Sequence, residues 1–117
     1  MSVVLNIWRT SQAIALAIAC LCCAHASTAV SAASAPQTHT IVIEGMQFKP
    51  AALTVLRGDR IVWRNNDLVP HTATAKGVFD SGAIAPNESW TYVARTPGAL
   101  PYVCAFHPPM TAALTVQ

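Results

Sequence analysis

Between residues 38 and 116 the sequence consists of short runs of β-branched and aromatic residues, separated by turn-forming residues. The runs are THTIVIE (38–44), ALTVL (52–56), RIVWRN (60–65), HTATA (71–75), SWTYVA (89–94), LPYVC (100–104) and AALTV (112–116). The intervening RGD, NNDLVP and APNE are rich in residues that favour turns. Such runs are typical of strands, and none has a helical period. The pattern therefore predicts an all-β antiparallel sandwich or barrel.

The N-terminal part has a different composition. Residues 1–26 carry a single charged residue, Arg9, followed by the apolar run AIALAIACLCCA (13–24) and then small residues. This pattern is typical of a secretory signal peptide, and the apolar run is shorter than the about 20 residues that span a bilayer. We predict a signal-peptide helix over 1–32 with cleavage between 26 and 33, a flexible lead-in over 33–38 and a folded domain over 39–117. A buried N-terminal helix and a lipoprotein signal with lipid on Cys20 are the alternatives.

Export would place the mature chain in the periplasm or outside the cell, without a membrane span. Cys20, Cys22 and Cys23 would leave with the signal, so the mature chain would keep Cys104. A single thiol in an oxidising compartment can pair between chains, lie inert in the core or hold a metal. A domain this small has a limited core, which a bound metal would stabilise. The formal net charge of +2 is too small to indicate nucleic acid as a partner.

The segment CAFHPPM (104–110) places a thiol, an imidazole and a thioether in one loop. Cys104, His107 and Met110 follow the spacing Cys-x₂-His-x₂-Met, and the two intervening prolines restrict the backbone. His71, which follows NNDLVP at the start of a predicted strand, is the candidate for a fourth ligand. Thiolate, thioether and imidazole groups suit copper, and two His with one Cys and a weak axial Met form an electron-transfer copper site.

Residues 40–116 resemble the cupredoxins, in particular the small single-copper amicyanin and plastocyanin group. The segments GMQFKP, LRGDRIVWRNNDLVPHT, FDSGAIAPNESW and LPYVCAFHPPM occur in the family's order. The resemblance implies a Greek-key antiparallel β-sandwich that binds one type 1 copper ion, with His71, Cys104 and His107 as equatorial ligands and Met110 as the axial ligand. Thr72 occupies a position where the family commonly has Asn. If that Asn ties the two ligand loops together by hydrogen bonds, Thr72 would have to do so with its single hydroxyl, or the link between the loops is lost.

These observations predict an exported electron carrier, not an enzyme, that cycles between Cu(I) and Cu(II). We expect a monomer that meets its redox partner proteins transiently. The resemblance implies that electrons pass through the exposed edge of His107. The apolar patch expected around that edge consists of Leu68, Val69, Pro70, Phe106, Pro108 and Pro109. In Phe106 the sequence departs from the family, which often has Pro before this ligand.

A copper-trafficking or copper-buffering protein with the same ligands remains an alternative. Such a protein would use additional soft donors, and the donors here that lie outside the predicted ligand set are Met46 and His39. We expect His39 to be solvated. An enzyme with several copper centres would need His-x-His pairs, which the sequence lacks. A metal-free sandwich and a zinc protein are further alternatives, although Met is a poor zinc ligand.

Overall fold

The computed structural model describes residue 29 and residues 31–117 of the chain. Cys20 and most of the signal-peptide helix predicted over 1–32 lie in residues 1–28, outside the described residues. The segment Ala33–Gln117 forms one compact unit, and the fold below is that of this unit. No helix in the described ranges is long and apolar enough to cross a bilayer.

The described chain forms two β-sheets. The strands are β1 (Thr38–Ile43), β2 (Phe48–Lys49), β3 (Ala52–Val55), β4 (Arg60–Asn65), β5 (Thr74–Ala75), β6 (Phe79–Asp80), β7 (Ser89–Val93), β8 (Gly98–Val103) and β9 (Thr111–Val116). One sheet has the order β2-β1-β4-β7 and the other β3-β9-β8-β5-β6. The predicted all-β sandwich is confirmed. The short strands β2 and β6 were not predicted, and the predicted strand over 71–75 is reduced to β5.

Each sheet is mixed, whereas the prediction was of antiparallel sheets. Strand β1 runs parallel to β4, and β3 runs parallel to β9, while the remaining pairs are antiparallel. The physical reason is the path of the chain. After β2 it crosses to the other sheet as β3, so when it returns as β4 it lies beside β1 in the same direction. A connection through a second sheet permits a parallel pair that a tight hairpin cannot make.

The core lies between the two sheets and follows the alternation of the strands. In β4, Ile61, Trp63 and Asn65 are buried, whereas Arg60 and Arg64 are exposed. The ring of Trp63 has its centroid 5.6 Å from that of Tyr102 in the opposite sheet. Trp63 also packs 5.4 Å from Phe79 and 5.5 Å from Trp90. The contacts of Trp63 with Tyr102 and Phe79 join the two sheets, and its contact with Trp90 lies within one sheet.

Asp59 fixes the start of β4 to the start of β1. Its carboxylate accepts hydrogen bonds from the backbone N–H of Gln37 at 2.8 Å and of Leu56 at 3.0 Å. Its Oδ2 lies 2.8 Å from Nε2 of His39. His39 is therefore half-buried against a carboxylate, and the expectation that it is solvated is wrong. Hydrogen bonds from Gln37, His39 and Leu56 lower the pKa of Asp59, against the opposing effect of burial.

The lowered pKa of Asp59 predicts a specific dependence of stability on pH. The carboxyl group binds its proton more weakly in the folded protein than in the unfolded chain. Its contribution to the free energy of unfolding is therefore fully present above the ordinary pKa of 3.8 and is lost as the pH falls through the folded pKa. We expect Asp59→Asn to unfold at a lower temperature than the wild type at pH 7, and the difference to narrow in acid below pH 3.8. Thermal unfolding followed by circular dichroism measures this, with Glu44→Gln on the exposed surface as the control. A difference that does not change with pH would contradict it.

Candidate metal centre

The loop between β8 and β9 closes on itself through backbone hydrogen bonds. The N–H of Cys104 donates to the carbonyl of Met110 at 3.0 Å. The N–H of His107 donates to the carbonyl of Cys104 at 3.2 Å, and the N–H of Met110 donates to the carbonyl of His107 at 2.9 Å. Pro108 and Pro109, which have no N–H to donate, occupy the positions between. The three candidate ligands of this loop thus form one hydrogen-bonded turn.

His71 lies where the chain passes from one sheet to the other, between β4 and β5. Its backbone exchanges two hydrogen bonds with Ile84, at 3.2 and 2.7 Å. The segment that leads to His71 is braced by Asn65, a fully buried amide that donates to the carbonyls of Val69 at 2.8 Å and Ile84 at 2.9 Å. Asn65 also accepts the N–H of Asp67 at 2.9 Å. The loop before His71 is consequently held from within the core.

The two loops bring three soft donors together. Nδ1 of His71 lies 3.7 Å from Sγ of Cys104, and Nδ1 of His107 lies 3.6 Å from the same sulfur. The two Nδ1 atoms are 3.2 Å apart. Ligands about 2.0–2.3 Å from a shared metal, at angles of about 105–120°, would be separated by about 3.2–3.7 Å. The separations in the structure therefore fit a single ion held by all three groups.

The candidate ligands differ in exposure. His71 and Cys104 are fully buried, with 0% of their surface exposed, while His107 is half-buried. Met110 is buried at the end of the same loop and lines a cavity of about 350 Å³ together with Met46 and Pro109. Cys104 is a free thiol. His107 is thus the candidate ligand that reaches the surface.

Thr72 joins the two loops. Its N–H donates to Sγ of Cys104 at 3.3 Å, and its hydroxyl accepts the N–H of Ala105 at 2.8 Å. The hydroxyl also lies 2.9 Å from that of Thr74. The hydroxyl and the backbone N–H of Thr72 therefore both maintain the contact between the loops.

Asp67 is a residue of the site that the sequence analysis did not single out. Its Oδ2 lies 2.9 Å from Nε2 of His71, and it accepts the N–H groups of Gly45 at 2.7 Å and Met46 at 3.0 Å. Burial raises the pKa of Asp67, but hydrogen bonds from Met46, Gly45 and His71 outweigh it, so that the pKa lies below the ordinary value of 3.8. The sequence feature that could have indicated this role is the position of Asp67, a carboxylate four residues before the candidate ligand His71 on the same loop.

The residues predicted to form the apolar patch are exposed and occupy the two ligand loops. Leu68 is 93% exposed and Phe106 is 52% exposed. Three of these residues directly precede His71, and the others flank His107. The members are Leu68, Val69, Pro70, Phe106, Pro108 and Pro109.

The donor chemistry fits a type 1 copper ion. A buried thiol and two Nδ1 atoms converge, and a buried thioether lies in the same loop. The nearby carboxylate of Asp67 is bonded to the opposite nitrogen of the His71 ring, so it does not compete for the same position. Soft and imidazole donors of this kind suit copper better than calcium or magnesium.

Comparisons with known proteins identify proteins to which this chain is similar. A relative, the chloroplast plastocyanin of Tetradesmus obliquus, is 28% identical over an alignment of 118 residues. The alignment covers 87% of this chain and 75% of that protein. A reduced amicyanin mutant superposes with a TM-score of 0.63 at 23% identity, over 68% of this chain and 82% of that one. A copper-containing nitrite reductase from Thermus scotoductus superposes with a TM-score of 0.65 at 23% identity, over 73% of this chain and 23% of that one.

At 23% identity, the similarity to these two solved structures shows that this chain has the same fold. The sequence itself matches a family model described as a cupredoxin-like domain over residues 12–116, which is most of its length. The resemblance inferred from the motifs is thus confirmed: the chain belongs to the family of cupredoxin-like domains.

Proposed function

We propose that this protein is a small exported electron carrier in which His71, Cys104, His107 and Met110 hold one copper ion. The observation that carries the proposal is the convergence of three donor atoms, all within 4.8 Å of one another, from two loops of one scaffold. The bound ion would supply one-electron chemistry by alternating between Cu(I) and Cu(II). Export is inferred from the N-terminal sequence.

The surroundings of the donors suit electron transfer because they restrict movement. Thr72 contacts the other ligand loop through both its N–H and its hydroxyl. The carbonyl of Met110 is bonded to Cys104 at the opposite end of its own loop. With the ligands fixed in this way, little rearrangement would accompany a change of oxidation state. The electron would enter and leave through His107, the candidate ligand that is not fully buried.

The exposed apolar residues beside His107 support transient docking of a redox partner protein. A small contact area without strong ion pairs favours the weak, short-lived complexes typical of electron transfer. We further propose that the protein is not an enzyme. Within the described residues, His71, Cys104 and His107 form the cluster suited to a metal, and catalysis by several copper centres would need more.

A copper-trafficking or copper-buffering role is the second candidate. The observation that favours it is Met46, a thioether that is 42% exposed and lines the same cavity as Met110. Such a residue could receive copper on its way to or from the site. The two functions differ in how readily the metal leaves.

The first prediction concerns the ligand set. Adding Cu(II) to the purified mature protein should produce an intense visible band from charge transfer between the thiolate and copper. Cys104→Ser should abolish the band, because a hydroxyl cannot replace the thiolate. His39→Asn, which changes a histidine outside the site, should retain it. A colourless wild-type protein that binds copper no better than Cys104→Ser would overturn the proposal.

The second prediction separates the carrier from the trafficking protein. A carrier should keep its copper over many oxidation and reduction cycles in the presence of a competing chelator. Met46→Leu should leave the rate of copper loss unchanged in a carrier and slow it in a trafficking protein. The decay of the visible band measures that rate. Rapid loss that depends on Met46 would favour the second candidate.

The third prediction concerns the apolar patch. Pro108→Glu places a charge beside His107 and should slow electron exchange with a redox partner several-fold, because desolvating the carboxylate opposes docking. The visible spectrum should remain unchanged. Pro36→Glu, which adds the same charge to an exposed position outside the ligand loops, is the matched control. Equal rates for the two variants would argue against the patch.

A further inference from the structure

The carboxylate of Asp67 contacts the buried candidate ligand His71 directly, at 2.9 Å from its Nε2. Because a carboxylate accepts hydrogen bonds, the ring nitrogen that faces it must carry the proton. The other nitrogen, Nδ1, then presents its lone pair. This Nδ1 is the atom that lies 3.7 Å from Sγ of Cys104 and 3.2 Å from Nδ1 of His107. Asp67 therefore selects the tautomer that a metal ion requires.

Among residues 31–117, Asp67 is the group that is hydrogen-bonded to Nε2 of His71. The side chain of His71 is 0% exposed, so bulk water does not reach the ring. The side chain of Asp67 is 15% exposed, and solvent screens it only partly. In the described part of the chain, the lysine that pairs with a carboxylate is Lys49, whose partner is Glu44. Within residues 31–117, no lysine or arginine therefore neutralises the negative charge of Asp67.

The carboxylate also holds a second segment in place. Gly45 and Met46, between β1 and β2, both have left-handed backbone angles, with φ of 63° and 59°. Consecutive N–H groups in this conformation can bind one anion, and here both donate to Asp67. A left-handed angle is unusual for a non-glycine residue such as Met46, and the two bonds account for it. Met46 lines the cavity beside Met110. Asp67 therefore holds residues next to two candidate ligands, His71 and Met110.

We propose that Asp67 is a positioning residue of the copper site, which orients His71 and stabilises the Cu(II) form relative to Cu(I). This inference rests on the proposed function, because it needs copper at the site. A fixed negative charge one imidazole ring away from the metal favours the more highly charged ion. Hydrogen-bonded partners of metal-bound histidines act in this manner, and their loss typically weakens metal binding about 10- to 100-fold.

The chain contains a matched control for Asp67. Asp59 also accepts two backbone N–H groups, those of Gln37 and Leu56, and also contacts Nε2 of a histidine, His39. The two aspartates flank opposite ends of β4, a strand about 20 Å long at roughly 3.3 Å per residue. Replacing either with Asn removes the same kinds of bond. An effect confined to the Asp67 variant would therefore come from its position next to His71.

The test compares Asp67→Asn with Asp59→Asn in the copper-loaded mature protein. We expect Asp67→Asn to weaken Cu(II) binding about 10- to 100-fold, measured by chelator competition, and to affect Cu(I) less. The reduction potential should consequently rise. Asp59→Asn should lower the unfolding temperature and leave both the affinity and the potential at wild-type values. Thermal unfolding of both copper-free variants shows whether each is folded.

A second measurement uses the copper-free protein. In the wild type, the Nε2 proton of His71 should exchange slowly in NMR spectra, and in Asp67→Ala this slow signal should disappear. Persistence of the signal in Asp67→Ala, or equal potentials for Asp67→Asn and Asp59→Asn in a blue protein, would overturn this inference alone. A wild-type protein without the visible band would instead overturn the proposed function and, with it, the copper role of Asp67.

Discussion

The site depends on the contact that Thr72 makes between two loops that belong to different parts of the fold. One loop connects β8 and β9 within a sheet, and the other carries the chain between the sheets. Thr72 bonds to Cys104 and to Ala105, at 3.3 and 2.8 Å, so neither loop can shift without breaking a hydrogen bond. The donor atoms therefore converge through the protein's own bonds. An ion that enters such a site finds the geometry already formed, which reduces the rearrangement that binding or a change of charge requires.

The sandwich supports this contact by keeping polar groups at its ends and apolar groups in its middle. In β4, Ile61 and Trp63 fill the core, while Asn65 ends the strand in a buried position. A buried amide without partners would destabilise the fold, but the side chain of Asn65 has three hydrogen bonds. Two join the loop that leads to His71, and the third joins Ile84, whose backbone pairs with that of His71. The cost of burying this amide is thus offset by bonds that shape the site. The same residue serves the fold and the metal centre.

Features that depend on local sequence could be predicted, whereas those that depend on distant partners could not. The strands follow from alternating residues and turn formers, and the loop ligands follow from the spacing Cys-x₂-His-x₂-Met. The parallel pairs were missed because they arise from the path between sheets. Asp67 resembles a turn residue in NNDLVP, and its role appears through Gly45, 22 positions away. His39 is likewise half-buried because of Asp59, 20 positions away. Single-sequence patterns contain no record of such pairings.

The two imidazoles of the site lie in opposite environments, and in the proposed electron carrier this asymmetry would separate two properties. His71 is enclosed and bonded to a carboxylate, so its surroundings bear on the relative stability of the two oxidation states. His107 lies at the surface among exposed apolar residues, so its surroundings bear on contact with a partner. Asp67 faces the buried ring of His71, whereas the residues of the apolar patch are exposed, so a substitution on the exposed side can alter docking while the contact between Asp67 and His71 stays in place. A scaffold of this kind can serve different redox partners while the copper ligands and the core stay the same.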